Sequence, residues 1–170
     1  MIEILILHEL TKKVLTMYGI QKEIKSEFSV LMLPSYGTIK PALSRLEKEG
    51  GIKSQKTMSN GGRPSVYYSI TNAGIEKLKD LLLSSPSDNP IQFLPTARIK
   101  ISCSNVLNKA EQLEMFKQLK LKSELVVAEI KPLLESKSFD FYHKMVFDNL
   151  LCEYKNFISL LEGLERACKN

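Results

Sequence analysis

The segment that most limits what this chain can fold into is PSYGTIKPALSRLEKEGGIKSQKTMSNGGRPSVYYSITNAG, residues 34–74. Pro34 breaks the chain, and Ile39, Leu43 and Leu46 then recur at i, i+4 and i+7, the spacing of one buried stripe on a helix. Pro41 has no backbone N–H and fits a helix without cost only in the first turn, which predicts a cap at Ser35 or Thr38. Gly50 and Gly51 supply the helix stop. Ile52 to Lys56 and Ser65 to Ile70 read as two strands joined by the turn formers MSNGGRP. Thr71 then caps a further helix whose stripe is Ile75, Leu78 and Leu82. This order, helix, hairpin and capped helix, is that of a winged helix-turn-helix.

The flanking sequence agrees. Ile2, Leu5, Ile6, Leu10 and Val14 predict a largely buried first helix, and Ile20, Ile24 and Phe28 an amphipathic second one over 18–28. SSPSDNPIQFLP carries three prolines and reads as a hinge, so the expected domains are 1–85 and 86–170. Beyond it the pattern predicts a short helix over 93–103, a long one from Lys109 to Lys137 that Pro132 kinks, and another from Phe139 to Lys169. Two helices alone cannot bury the apolar positions that this half carries, among them Leu121, Val126, Met145 and Leu161. The economical partner is the same pair from a second chain. The fold class is therefore mainly α with a small β-hairpin wing: an N-terminal winged helix-turn-helix and a C-terminal α-helical dimerisation domain.

Charge is concentrated where a duplex would be met. Residues 1–85 hold 12 Lys/Arg against 8 Asp/Glu, and six of the cations fall within 36–66 against only Glu47 and Glu49. Reading a duplex needs a slim element presenting hydrogen-bonding side chains to the major groove. On the third helix these are Ser35, Tyr36, Thr38, Lys40, Ser44, Arg45 and Lys48; on the hairpin, Lys53, Lys56, Asn60, Gly61, Gly62 and Arg63. Arg63 is the foremost wing contact, because a narrow minor groove attracts arginine. Tyr67 and Tyr68 alternate across a strand, so one packs inward and the other faces the third helix or solvent.

Other chemistry finds little support. His8 and His143 lack a nucleophile at a known spacing, and no glycine-rich phosphate loop is present, so neither enzyme activity, cofactor nor metal is expected. Cys103, Cys152 and Cys168 are too far apart for a CxxC motif and read as reduced thiols. The apolar start lacks a preceding basic region, and no run approaches a membrane span, so the expected compartment is the cytoplasm. A winged-helix module that binds protein and no DNA is the competing reading, since fold alone does not decide.

MYGIQKEI at 17–24, PSYGTIKPALSRLEKEGGI at 34–52 and GGRPSVYYSITNAG at 61–74, taken in this order, resemble the PadR family of transcriptional regulators. The chain departs from the usual pattern at Met17, Lys40 and Gly51. The resemblance implies a homodimeric regulator, usually a repressor, that joins through its C-terminal helices and binds a pseudo-palindromic operator. It also implies release by a small hydrophobic or aromatic effector, for which Phe93, Tyr142, Phe147 and Tyr154 are the candidate lining.

Overall fold

A computed structural model describes residues 1–58, 62, 64–136 and 138–169. The elements run α1 Ile2–Lys12, β1 Leu15–Thr16, α2 Met17–Phe28, α3 Tyr36–Lys48, β2 Ile52–Met58, β3 Pro64–Ile70, α4 Asn72–Leu83, α5 Pro90–Ser102, a 3-10 turn at Ser104–Val106, α6 Lys109–Ser136 and α7 Phe141–Lys169. Two compact units divide at Val106 and Leu107.

In the first unit α1 is the centre. Ile4, Leu5, Ile6, Leu7 and Leu10 are all buried, and a helix apolar on every side must be wrapped by others. It packs against α2, α3, α4, α5 and β3. His8 and Glu9 are buried with it and are satisfied locally: His8 Nδ1 lies 3.3 Å from Glu9 Oε1, His8 Nε2 lies 3.1 Å from the Asn105 side-chain amide, and Lys12 Nζ lies 3.1 Å from Glu9. Buried polar groups persist only with such partners.

Ile20, Ile24 and Phe28 of α2 are buried as the spacing predicts, and Thr16 caps the helix by accepting from Gly19 N at 3.1 Å. Ahead of it the two-residue β1 joins the sheet, whose strand order is β1-β3-β2, through Leu15↔Tyr68 and Thr16↔Tyr67. On α3, Ala42 joins Ile39, Leu43 and Leu46 in the buried stripe. Ser35 is the cap, so Pro41 falls in the second turn and not the first. The N–H it lacks would have reached Gly37, which is exposed and open to water.

The wing is fixed at its base by close backbone packing. Gly50 takes a φ of +75°, which a residue with a Cβ rarely adopts. Thr71 Oγ1 accepts from Gly74 N at 3.1 Å and donates to the Gly50 carbonyl at 2.7 Å. A Cβ on Gly74 would stand 2.0 Å from the Gly51 carbonyl oxygen. The start of α4 and the start of β2 are therefore in contact at a pair of glycines.

The expected domain boundary at residue 85 differs from the observed division. α5 starts at Pro90, with Asn89 Oδ1 accepting from Ile91 N at 3.0 Å, and it buries Phe93, Leu94, Ala97 and Ile99 within the first unit. The proline-rich run is a connection inside that unit because the helix after it has apolar side chains to bury. In the second unit α6 and α7 form an antiparallel hairpin: Gln112 in the first turn of α6 accepts from the Cys168 thiol at the end of α7 at 3.5 Å, and Lys120 pairs with Glu165 at 3.2 Å. Tyr154, Phe157 and Leu161 are buried, whereas Leu121, Leu125, Phe141, Tyr142, Met145, Val146 and Leu160 are exposed.

Candidate nucleic-acid interface

Helix α3 is positioned from both ends. Gln21 Nε2 of α2 donates to the Pro34 carbonyl at 3.1 Å, which fixes the turn ahead of it. The Ser35 hydroxyl pairs with the Thr38 hydroxyl at 3.1 Å. With the stripe turned inward, Tyr36, Lys40, Ser44 and Lys48 lie outward at four-residue steps. Such a row spans about 18 Å of helix.

The acids at the C-terminal end of α3, Glu47 and the capping Glu49, are engaged elsewhere, which leaves this row positive. Glu47 accepts a hydrogen bond from the Ser54 hydroxyl of β2, and Glu49 pairs with Lys77 of α4. The Lys77 ammonium holds the Glu49 carboxyl below its usual range, and Lys77 is raised in turn by Glu49. Among the described residues Lys40, Lys48, Lys53 and Lys56 pair with no carboxylate. Ser44 donates its hydroxyl back to the Lys40 carbonyl at 3.2 Å, so toward a base it presents lone pairs.

Arg45 stands apart from the row. Its Nε and Nη2 each lie 3.0 Å from Glu3 Oε1, on α1, and Lys77 Nζ lies 3.4 Å from Glu3 Oε2. The sequence places Arg45 on the reading face; in the fold it belongs to an ionic cluster that ties α1, α3 and α4. No spacing rule could have found a partner 42 residues away.

The hairpin is longer than predicted, with the register Ile52↔Ile70, Ser54↔Tyr68, Lys56↔Val66 and Met58↔Pro64 on one face. Ile52 is buried and Ser54 bonds Glu47, so this face is the one turned to α3. Tyr68 shares it, and burial, with Glu47 adding to it, pushes the phenol up. Lys53 lies on the opposite face from Lys56, since side chains alternate along a strand. Gly62 at the tip takes a φ of +72° and is exposed; Asn60, Gly61 and Arg63 lie outside the described residues.

The four aromatic candidates are divided between the two units, Phe93 in the first and Tyr142, Phe147 and Tyr154 on α7 in the second. Phe93 is a buried residue of the first unit, while Tyr142 and Tyr154 stand 12 positions apart on α7, about 18 Å along its axis. Tyr142 is 79% exposed, and Phe147 stacks on Phe139 at a ring-centroid distance of 5.4 Å.

Other chemistry in the unit is committed to structure. His8, Glu9 and Glu27 have ligand atoms within 4.8 Å of one another, but the Lys12 ammonium already bonds Glu9 and Glu27, the latter at 2.6 Å. Burial pushes the Cys103 thiol up to about 12, the wrong direction for a nucleophile. No helix among the described residues is long and apolar enough to cross a membrane.

A buried α1, a helix-turn-helix of α2 and α3 with a positive outward row, and a hairpin against α3 define a winged helix-turn-helix protein of the DNA-binding kind. The profile of the Transcriptional regulator PadR-like family matches residues 6–80. A PadR family transcription regulator from Clostridium difficile R20291 is 35% identical over 46% of this chain and 79% of that one, with a TM-score of 0.41. Bacillus subtilis PadR in complex with operator DNA is 24% identical, covers 98% of both chains and has a TM-score of 0.47. The same protein in complex with p-coumaric acid is 22% identical over 99% of this chain and 95% of that one, with a TM-score of 0.42. No curated protein matches significantly. The chain belongs to the PadR-like family of transcriptional regulators.

Proposed function

We propose that the protein is a homodimeric repressor that binds a pseudo-palindromic operator, with α3 of each protomer in successive major grooves and the wings alongside. The observation that carries this reading is the outward row of Tyr36, Lys40, Ser44 and Lys48, left positive because Glu47 and Glu49 are drawn to β2 and α4. Lys56 at the α3 face of the hairpin extends it, and Asn60, Gly61, Gly62 and Arg63 at the tip complete the expected contacts to the backbone and minor groove. The exposed apolar residues of α6 and α7, from Leu121 to Leu160, support dimerisation through the second unit, because a patch of that kind on a folded chain marks an interface. Release by a small hydrophobic effector is part of the same reading.

Selection from random duplexes, followed by fluorescence anisotropy across a salt series, tests it. The expected result is a two-fold symmetric site with half-sites about 10 base pairs or a multiple apart, and affinity that falls steeply with salt. A symmetric site should also be lost when the protein is made monomeric. Failure to enrich any sequence, with salt-independent binding, would overturn the assignment.

A further inference from the structure

Lys100 of α5 is 3% exposed, and its ammonium meets only neutral oxygens: the Ser84 carbonyl at 2.6 Å and the Ser84 hydroxyl at 3.0 Å. That hydroxyl spends its own proton on the Leu81 carbonyl at 2.7 Å. An ammonium has three N–H donors, so one is left over. No carboxylate among the described residues pairs with it. A buried charge without a counter-charge is costly, and proteins keep one where an ion or ligand completes it.

Beside it is a cavity of about 270 Å³. Ile4 and Leu81 give it an apolar side; Ser85, Ser87, Thr96 and Gln92 give it hydroxyl and amide groups. We propose that this cavity binds a small aliphatic monocarboxylate, its carboxylate on Lys100 and the neighbouring hydroxyls and its chain against Ile4 and Leu81. The Met1 α-amino group also lines the cavity; burial, with the Lys100 charge adding to it, lowers its hold on a proton, so at neutral pH Lys100 is the principal cation and matches a single negative charge. A phosphate dianion would call for a second full cation or a row of backbone N–H groups.

Burial alone pushes the Lys100 ammonium down to about 8. It is still a cation at neutral pH, and an anion at van der Waals distance would raise it again. The site also borders the DNA-reading unit. Ile4 adjoins Glu3, which holds Arg45 of α3, and this is the route by which occupancy would reach that helix. That coupling rests on the function proposed above; the binding does not.

The test is calorimetric titration of the full chain, free of DNA, with hexanoate, hexanamide and inorganic phosphate at pH 7, alongside NMR of the Lys100 side chain. Hexanoate should saturate one site per chain and bind at least about tenfold more tightly than hexanamide. Affinity should fall by up to about tenfold per pH unit above 8, and the Lys100 titration should move upward on binding. Lys100→Met should cost at least about tenfold; Thr96→Val, which keeps the lysine, should cost less and guards against misfolding of the first variant. Equal binding of acid and amide, preference for phosphate, indifference to Lys100→Met, or no saturable binding of hexanoate would each overturn the proposal. Because no DNA is present, these outcomes leave the operator reading untouched.

Discussion

Two nitrogens of the Arg45 guanidinium lie 3.0 Å from a single oxygen of Glu3, joining the C-terminal half of α3 to the start of α1. The arginine of the proposed reading helix is thus already held by a carboxylate of the protein. Glu3→Gln should free it: DNA affinity rises for all sequences alike, and the slope of log affinity against log salt steepens by up to about 0.9, one added phosphate contact. An anisotropy titration at several salt concentrations reads both. Stability should change by less than about 1 kcal/mol, because the pair is solvent-accessible.

Lys53 and Lys56 lie on opposite faces of the hairpin, and only the Lys56 face is turned to α3. Lys56→Ala, like Lys40→Ala and Lys48→Ala, should therefore flatten the salt slope by about 0.9, whereas Lys53→Ala leaves it unchanged. The reverse pattern would put the duplex on the other side of the wing.

Gly74→Ala brings a methyl group to 2.0 Å from the Gly51 carbonyl oxygen and 2.8 Å from Ile70. Both neighbours are main chain or packed side chain and have little room to yield. The expected cost is about 2 kcal/mol or more, read by denaturant unfolding of the full chain. Gly62→Ala, at the exposed tip, should be far milder, since the added Cβ meets no atom within 4 Å and only the φ of +72° opposes it.

Stability should depend on Lys100 with a definite sign. Its folded value of about 8 is below the ordinary 10.5, so above pH 8 the unfolded chain holds the proton more tightly than the folded one does. Stability from this group therefore rises with pH across that window and is lowest below it, a difference of roughly 3 kcal/mol. Cys103, pushed up to about 12 from 9.0, acts in the opposite sense above pH 9. Lys100→Met should stabilise the protein at pH 7 and remove the rise between pH 8 and 9, measured as the difference from wild type in urea unfolding.

Met145 and Val146 lie one after the other on the exposed side of α7 at 54% and 65% exposure. A glutamate there costs nothing in a monomer but buries a charge in a dimer. Val146→Glu should convert the proposed dimer to monomer by light scattering while leaving the helical circular-dichroism signal intact.

Much of this architecture is legible because it is local. The Ile39, Leu43 and Leu46 stripe, the Thr71 cap and the glycine stop at Gly50 each depend on residues a turn apart, and the fold places all of them as the spacing predicts. The two residues of β1 are too few to show a period. The opposed faces of Lys53 and Lys56 follow from strand alternation alone, yet charge counting treats the two lysines as one patch. The Glu3 cluster and the attachment of α5 depend on groups that meet across 42 and 16 positions, and one sequence carries no record of such meetings. The proline-rich run resembled a domain hinge in composition, whereas burial of Phe93 to Ile99 decides to which unit the following helix belongs.

Glu3 and His8 sit on one uninterrupted helix, five residues or about 7.5 Å apart, the first gripping α3 and α4 and the second gripping Asn105. A helix of this length has no soft joint, so α1 behaves as a ruler: a push at either grip is delivered at the other without loss of register. A shift of Asn105 that keeps its bond to His8 would therefore carry the carboxylate that holds Arg45 with it, and a duplex on the proposed face would meet a different number of free charges.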